Sequence, residues 1–309
     1  MTQRILDFSQ NPVRLRMRMK QLVIQSEGLA STTIPFEDVA VIVVSHPQVT
    51  FSQACIAELA NNGGVLIACN DKSLPVGMFV PFFGHHQPSR RIHLQINTPR
   101  PFFKRAWQQI VQAKIEAQSK LLQALFKDDG GLSNLISQVK SGDPANVEAR
   151  AARRYWNRLF NGFDFKRSPE GDDPINRRLN FGYGVLRGIV ARAICAAGFH
   201  PAIGLHHHNQ YNPYCLADDL MEPFRPLVDQ AVYQIAAEKK TALSSPLTPE
   251  NKKILIEPLL GRLSIHGESR TIFDCVTKLV CSLVQFFQKE IKSLDLPEAL
   301  VSIQEEKPF

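Results

Sequence analysis

The six cysteines of this 309-residue chain include no CxxC pair, so a thiolate zinc ribbon or finger has nothing to build on. No apolar run approaches bilayer length. The longest, such as VAVIVV at 39–44, fall well short of the roughly 20 residues a spanning helix needs. The opening MTQRILDF has no apolar core of the kind a secretory signal requires. No internal repeat is visible, which excludes solenoids and propellers. Acid is in short supply. Against 36 Lys and Arg stand 29 Asp and Glu, a formal charge of +7, with a pI near 9.1. An anionic partner such as nucleic acid is therefore favoured, weakly, because many basic proteins bind none.

What is present is an ordinary globular composition, 44% hydrophobic and 21% charged, in a chain long enough for a sizeable core and two domains. Most cysteines lie inside apolar segments, which fits reduced thiols in a cytoplasmic protein with no membrane association. Residues 1–85 read as β. VRLRMRMK at 13–20 alternates, with Val13, Leu15, Met17 and Met19 on one face and Arg14, Arg16, Arg18 and Lys20 on the other, the pattern of a half-buried strand with a solvated basic row. QLVIQ (21–25), VAVIVVS (39–45), VLIACN (65–70) and PVGMFVPF (75–82) are further strands. Residues 50–64 form a short helix capped by Thr50 or Ser52 and stopped by Asn62-Gly63-Gly64. Residues 86–101, rich in Pro and Arg and without sustained periodicity, read as a linker.

From 102 onward the spacing is helical, with helices expected at 102–127, 145–160, 175–198, 216–240, 249–261 and 270–294, and a loosely held tail, DLPEALVSIQEEKPF. The expected class is α+β, a small N-terminal β domain (1–85) followed by a larger all-α catalytic domain (102–309).

Ionisable residues crowd into GLHHHNQYNPYCLADDLMEPFRP at 204–226. Three successive imidazoles cannot all face one site, so at most one or two of His206, His207 and His208 could be ligands. Asn209 and Asn212 suit a polar turn. Asp218 and Asp219 are equally well explained as acids in the first turn of a helix; Glu222, set between Met221 and Pro223, is less so. Imidazole with carboxylate suits a hard or borderline divalent metal. Glu148, by periodicity alone, reads as a surface residue pairing with the arginines around it. Between 148 and 192 nine arginines and Lys166 face five acids, a field suited to phosphate oxygens.

The helix EARAARRYWNRLF, the segment INRRLNFGYGVLRGIVARAICAAGFHPAIGLHH and the block LADDLMEPFRPLVD together resemble the CRISPR adaptation integrase, the metal-dependent nuclease subunit that inserts spacers. NQYNPYCLADDLMEPFRPLVD is most similar to its type II version, and the resemblance covers nearly the whole chain. It implies Mg²⁺ or Mn²⁺ held by Glu148, His207 and Glu222, with Asp219, Asn180, Tyr183 and Arg225 supporting the site and Arg150, Arg153, Arg154, Arg158, Arg177 and Arg178 binding double-stranded DNA. It implies insertion of DNA fragments into a CRISPR array by attack of a 3′-hydroxyl, and nuclease action when water attacks. It further implies a homodimer joined through the β domains, a heterohexamer with a small ferredoxin-like adaptation subunit, and an RNA-guided effector nuclease as a further candidate partner. Two alternatives compete on the residues alone: a non-catalytic DNA-binding architectural protein, and a hydrolase of small phosphoesters.

Overall fold

The computed structural model describes residues 3–81, 84–238 and 246–298. Its first part holds two four-stranded sheets. One has the order β1 (Arg4–Phe8), β5 (Val39–Val44), β7 (Val65–Cys69), β8 (Pro75–Phe79), with β1, β5 and β7 parallel and β8 antiparallel. The other has the order β4 (Thr32–Pro35), β3 (Gln21–Ser26), β2 (Val13–Arg18), β6 (Thr50–Phe51). Between them lies α1 (Gln53–Asn61), started by Ser52, whose Oγ accepts the Cys55 amide at 3.3 Å. It ends before Gly63 at φ +70°, a left-handed position that glycine takes without strain.

Inward alternation on β2 holds at Val13 and Leu15 and then fades. Met17 is 36% and Met19 84% exposed. The strand ends at Arg18 because Met19 and Lys20 take positive φ and form the turn into β3.

The central strand β5 is buried on both faces, as a continuous apolar run predicts. Val39 and Ile42 pack with Leu15, Leu22 and Leu59; Val41 and Val43 join the core of the helical part. The partner there is α6 (Pro174–Ala196), entered through Pro174 and capped by Asp173, which accepts the Ile175 and Asn176 amides. Three glycines inside α6 would each cost about 1 kcal/mol against alanine in an exposed helix. Here they permit close approach. A Cβ on Gly184 would lie 2.3 Å from Pro75 Cγ, one on Gly188 2.8 Å from Ile67 Cδ1, and one on Gly182 2.4 Å from Val228 Cγ1. The sheet and α8 (Arg225–Glu238) thus seat directly on the helix axis.

Around α6 stand α2 (Pro88–Asn97), the long α3 (Arg100–Phe126), α4 (Ser133–Ile136), α5 (Val147–Leu159), α7 (Cys215–Leu220), α9 (Pro249–Ile256) and α10 (Ile272–Phe287). Three readings need correction. The segment 86–101 is largely the helix α2, whose buried Gln95 donates to the carbonyls of His200 and Ile203. The mainly helical part also carries a two-stranded hairpin, β9 (Arg262–Ile265) and β10 (Glu268–Thr271). Finally, the beginning of the tail is fastened: the Asp295 amide donates to Ser282 Oγ and the Glu298 amide to the Ser264 carbonyl. Residues 299–309 of that expectation lie outside the described residues. All six cysteines are free, three of them buried. Among the described residues no helix is long and apolar enough to cross a membrane.

Candidate metal and phosphate centre

The histidine loop is shaped by Gly204 and Asp219. A Cβ on Gly204 would lie 2.3 Å from the His207 carbonyl oxygen, so only glycine lets the chain fold back there. Asp219, fully buried on α7, accepts the Leu205 and His206 amides on Oδ2 at 2.6 and 2.9 Å. Its Oδ1 meets His207 Nδ1 at 2.5 Å. That contact leaves Nε2 of His207 as the free ring nitrogen, and the Asp219 hydrogen bond holds the imidazole pKa above its ordinary value. The histidine triplet is thereby sorted. His207 lines a cavity of about 690 Å³ together with Glu222. His206 stacks flat on Trp107, ring centroids 4.5 Å apart, and with His208 lines a separate cavity. Asn209 and Asn212 each accept an amide two residues on, the turn their side chains suggested.

Glu222 opens a 3-10 turn, Glu222–Phe224, that Pro223 starts and that runs into α8. Its carboxylate is nearly buried, with Oε1 accepting from Arg225 Nε at 2.9 Å. Oε2 lies 2.6 Å from Lys114 Nζ on α3. The same ammonium donates to Glu148 Oε1, also at 2.6 Å. The two carboxylate oxygens thus lie no more than 5.2 Å apart, twice that distance. Glu148 sits in the first turn of α5, which Asp143 anchors by accepting the Val147 and Glu148 amides at 2.9 Å each. It pairs with Lys114 and not with the flanking arginines, contrary to the reading from periodicity. Burial alone would raise the Glu222 pKa, but Arg225 and Lys114 more than offset that and hold it below the usual carboxylate range. Burial would likewise lower Lys114, and Glu222 and Glu148 outweigh it.

Behind Glu222 the cavity wall is a tyrosine–carboxylate cluster. Tyr155 donates to Asp229 Oδ2 at 2.7 Å, and Tyr183 donates to Oδ1. Burial pushes Asp229 up to about 6, despite those hydrogen bonds and the nearby Arg225 and Arg167. The Arg225 guanidinium lies over the Tyr183 ring, 4.4 Å from its centroid. Asn180 accepts from Arg167 at 2.9 Å and also lines the cavity. Arg187 pairs with Asp218 at 2.6 Å on the same wall.

The expected arginines divide. Arg150, Arg153 and Arg154 are exposed on α5, opposite the buried Val147, Ala151 and Tyr155. Arg158 pairs with Asp128, and Arg177 with Asp172. Arg178 must be withdrawn as a DNA contact. It is 1% exposed, and its guanidinium is spent on Asn251 Oδ1 and the Pro174 carbonyl. Sequence reasoning missed Lys114, Trp107, Asp229 and the bond from Arg167 to Asn180.

Two carboxylates and an imidazole make a donor set suited to a hard or borderline divalent cation. The Lys114 ammonium is a stand-in cation between the two carboxylates. Among the described residues no three His, Cys, Asp or Glu side chains are gathered into a ready metal site.

Comparison with known proteins adds a lineage. The family described as CRISPR associated protein Cas1 matches residues 8–258. The CRISPR-associated endonuclease Cas1 of Neisseria meningitidis serogroup C is 37% identical over 94% of this chain and 95% of its own length. One from Pyrobaculum aerophilum is 26% identical over 83% and 94%. Among solved structures, a casposase bound to integration product superposes with a TM-score of 0.78 at 18% identity, covering 96% of this chain and 93% of its own. A CAS1 protein from Thermotoga maritima gives 0.69 at 17%, covering 93% and 98%. At such identities the likeness is one of fold.

Proposed function

Because this chain belongs to the Cas1 family of CRISPR-associated proteins, we propose that it is a divalent-metal-dependent DNA endonuclease and integrase that inserts foreign DNA fragments into a CRISPR array. The observation that carries the reading is the meeting of Glu148 and Glu222, far apart in sequence, on one ammonium beside a cavity that His207 also lines.

Glu148, His207 and Glu222 would hold Mg²⁺ or Mn²⁺, which when bound supplies Lewis-acid polarisation of a phosphate oxygen. Asp219 engages Nδ1 of His207 and orients the ring, which leaves Nε2 as the nitrogen that would bind a metal once deprotonated. Arg225 keeps Glu222 ionised and in place. Arg167, hydrogen-bonded to the neutral Asn176 and Asn180, lends positive charge to the cavity wall against the phosphodiester, while Arg187 is paired with Asp218. In strand transfer the 3′-hydroxyl of the incoming fragment loses its proton and attacks phosphorus. One P–O bond forms as another breaks, and the displaced strand leaves as a 3′-hydroxyl that takes up a proton. No energy-carrying cofactor is needed, because the number of ester bonds is conserved. The exposed Arg150, Arg153 and Arg154 neutralise the DNA backbone outside the cavity.

The proposal includes a homodimer formed through residues 1–85. Its support is the exposed apolar side chains of the second sheet and its turns: Met17, Met19, Leu29 and Phe51. A solved complex that includes Cas1 and Cas2 is a fold neighbour at 18% identity, which supports a small CRISPR adaptation subunit as partner. An RNA-guided effector nuclease is proposed as a further partner, and cytoplasmic residence goes with such partners.

The competing reading, a non-catalytic DNA-binding protein, draws on the Lys114 bridge, which leaves both carboxylates neutralised without a metal. Strand transfer by the purified chain and its adaptation subunit on a repeat-containing duplex, with and without chelator, separates the two. Activity is expected with Mn²⁺ or Mg²⁺ and not with chelator, and Glu148→Ala, His207→Ala and Glu222→Ala should each abolish it. DNA binding that survives chelation with no product strands would establish the architectural reading instead.

A further inference from the structure

Lys114 is the residue in this centre without an assigned role, and its placement is unusual. It projects from the buried stripe of α3 between Val111 and Ile115, with only 11% of its side chain exposed. Its ammonium makes a hydrogen bond to Glu148 Oε1. Its approach to Glu222 Oε2 is equally short at 2.6 Å, so one ammonium bridges the two carboxylates. Glu222 already has a cation on its other oxygen, Arg225. The four charges of Glu148, Glu222, Lys114 and Arg225 therefore sum to zero, which weakens the pull of the two carboxylates on an added dication. A metal ion bound by both carboxylates has to take the position that the ammonium holds. Room for the ammonium exists: Lys114 lines the 690 Å³ cavity, and its four-carbon stem pivots readily.

We propose that Lys114 is a built-in competitor for the divalent cation. Its ammonium neutralises Glu148 and Glu222 when the cation is absent and yields that position when the cation binds. The inference rests on the metal reading of this centre given above. Lys114 stabilises the metal-free fold, since two carboxylates within 5.2 Å would otherwise repel in a nearly buried site. It also sets a threshold, because free cation must outcompete a tethered charge before the centre loads.

The test is Mn²⁺ binding by titration calorimetry at one fixed pH on the full-length chain, as wild type, Lys114→Met and Lys114→Gln. Both variants should bind Mn²⁺ at least tenfold more tightly than wild type. In chelator they should melt at lower temperature, and Mn²⁺ should raise their melting temperature more than it raises that of wild type. A second measurement needs no variant. An amine-reactive reagent followed by mass spectrometry should modify Lys114 of the wild-type chain several-fold faster in saturating Mn²⁺ than in chelator. Equal or weaker Mn²⁺ affinity in folded Lys114 variants, or Lys114 labelling unmoved by bound Mn²⁺, overturns the inference. If that Mn²⁺ binding is also lost in Glu222→Ala, the metal reading stands without it. Absence of Mn²⁺ binding in wild type and Lys114 variants alike removes both.

Discussion

Asp219 holds His207 through a single 2.5 Å contact between Oδ1 and Nδ1, while its other oxygen binds the backbone of the loop that carries that histidine. One buried carboxylate thus sets both the path of the loop and the direction of the ring. Asp219→Asn keeps the size of the side chain and removes the charge. Strand transfer should fall by about 10–100-fold, the usual consequence of losing a partner that orients a metal ligand. The His207 ring should also titrate lower than in wild type, since the Asp219 hydrogen bond is the chief cause of its raised pKa. NMR of the histidine ring protons checks the second outcome independently of activity.

Gly184→Ala drives a methyl group into Pro75, where a Cβ would stand 2.3 Å from Cγ. The proline ring cannot rotate out of the way. The chain should lose about 1–3 kcal/mol of stability. Urea or thermal unfolding of the variant beside wild type measures it.

Asp229 gives stability a particular pH dependence. Burial raises its pKa from 3.8 to about 6 in the folded chain. Between those values the folded state keeps a proton that the unfolded state has lost, so rising pH destabilises the fold. This contribution is complete below 3.8 and gone above about 6. Asp229→Asn lacks the titration. The stability of wild type relative to that variant should therefore decline as pH is raised from about 3.5 to about 7, by at most about 3 kcal/mol. Urea unfolding of both proteins at several pH values in that interval provides the comparison. A difference that stays flat with pH would refute the assignment.

Arginine substitutions should separate into two kinds. Replacing Arg150, Arg153 and Arg154 together by alanine should leave stability nearly unchanged. It should weaken duplex binding and flatten its salt dependence, by roughly 0.9 in log–log slope for each phosphate no longer neutralised. Arg178→Ala should do the reverse, lowering the melting temperature by stripping Asn251 and the Pro174 carbonyl of a buried donor, with the salt slope intact.

The helices were legible where a long apolar stripe met good caps. α3, α5 and α6 lie within a few residues of their expected bounds, and of the two cap candidates, Thr50 and Ser52, it is Ser52 that caps α1. The segment 88–97 concealed its helix because its one buried residue, Gln95, is polar, so no apolar period marks it. The strands β1, β4 and β6 are short, and β1 and β6 pair in parallel with segments distant in sequence, which no local pattern encodes. The β9–β10 turn uses His266 and Gly267, both at positive φ, in place of the Asn-Gly pair that announces a hairpin. In the candidate centre, local pattern left the three histidines open, and only the resemblance singled out His207, which shares a cavity with Glu222. Lys114 left one trace: a cation on the same α3 face as Trp107, Ile110, Val111 and Gln118. Its partners lie on other elements, and only tertiary structure brings them to it.

Pro75 belongs to β8 and also to the wall of the cavity, and it rests against the axis of the helix that carries Asn180 and Tyr183. Arg192 ties the same helix to the Gly63 carbonyl, and Lys72 reaches across to Asp172. The sheet half and the helical half are therefore braced at several points, and Pro75 is one that lies on the chamber wall. A subunit that gripped the sheets would also grip one side of the pocket proposed for phosphate, and the proposed assembly and reaction would then share a single mechanical frame.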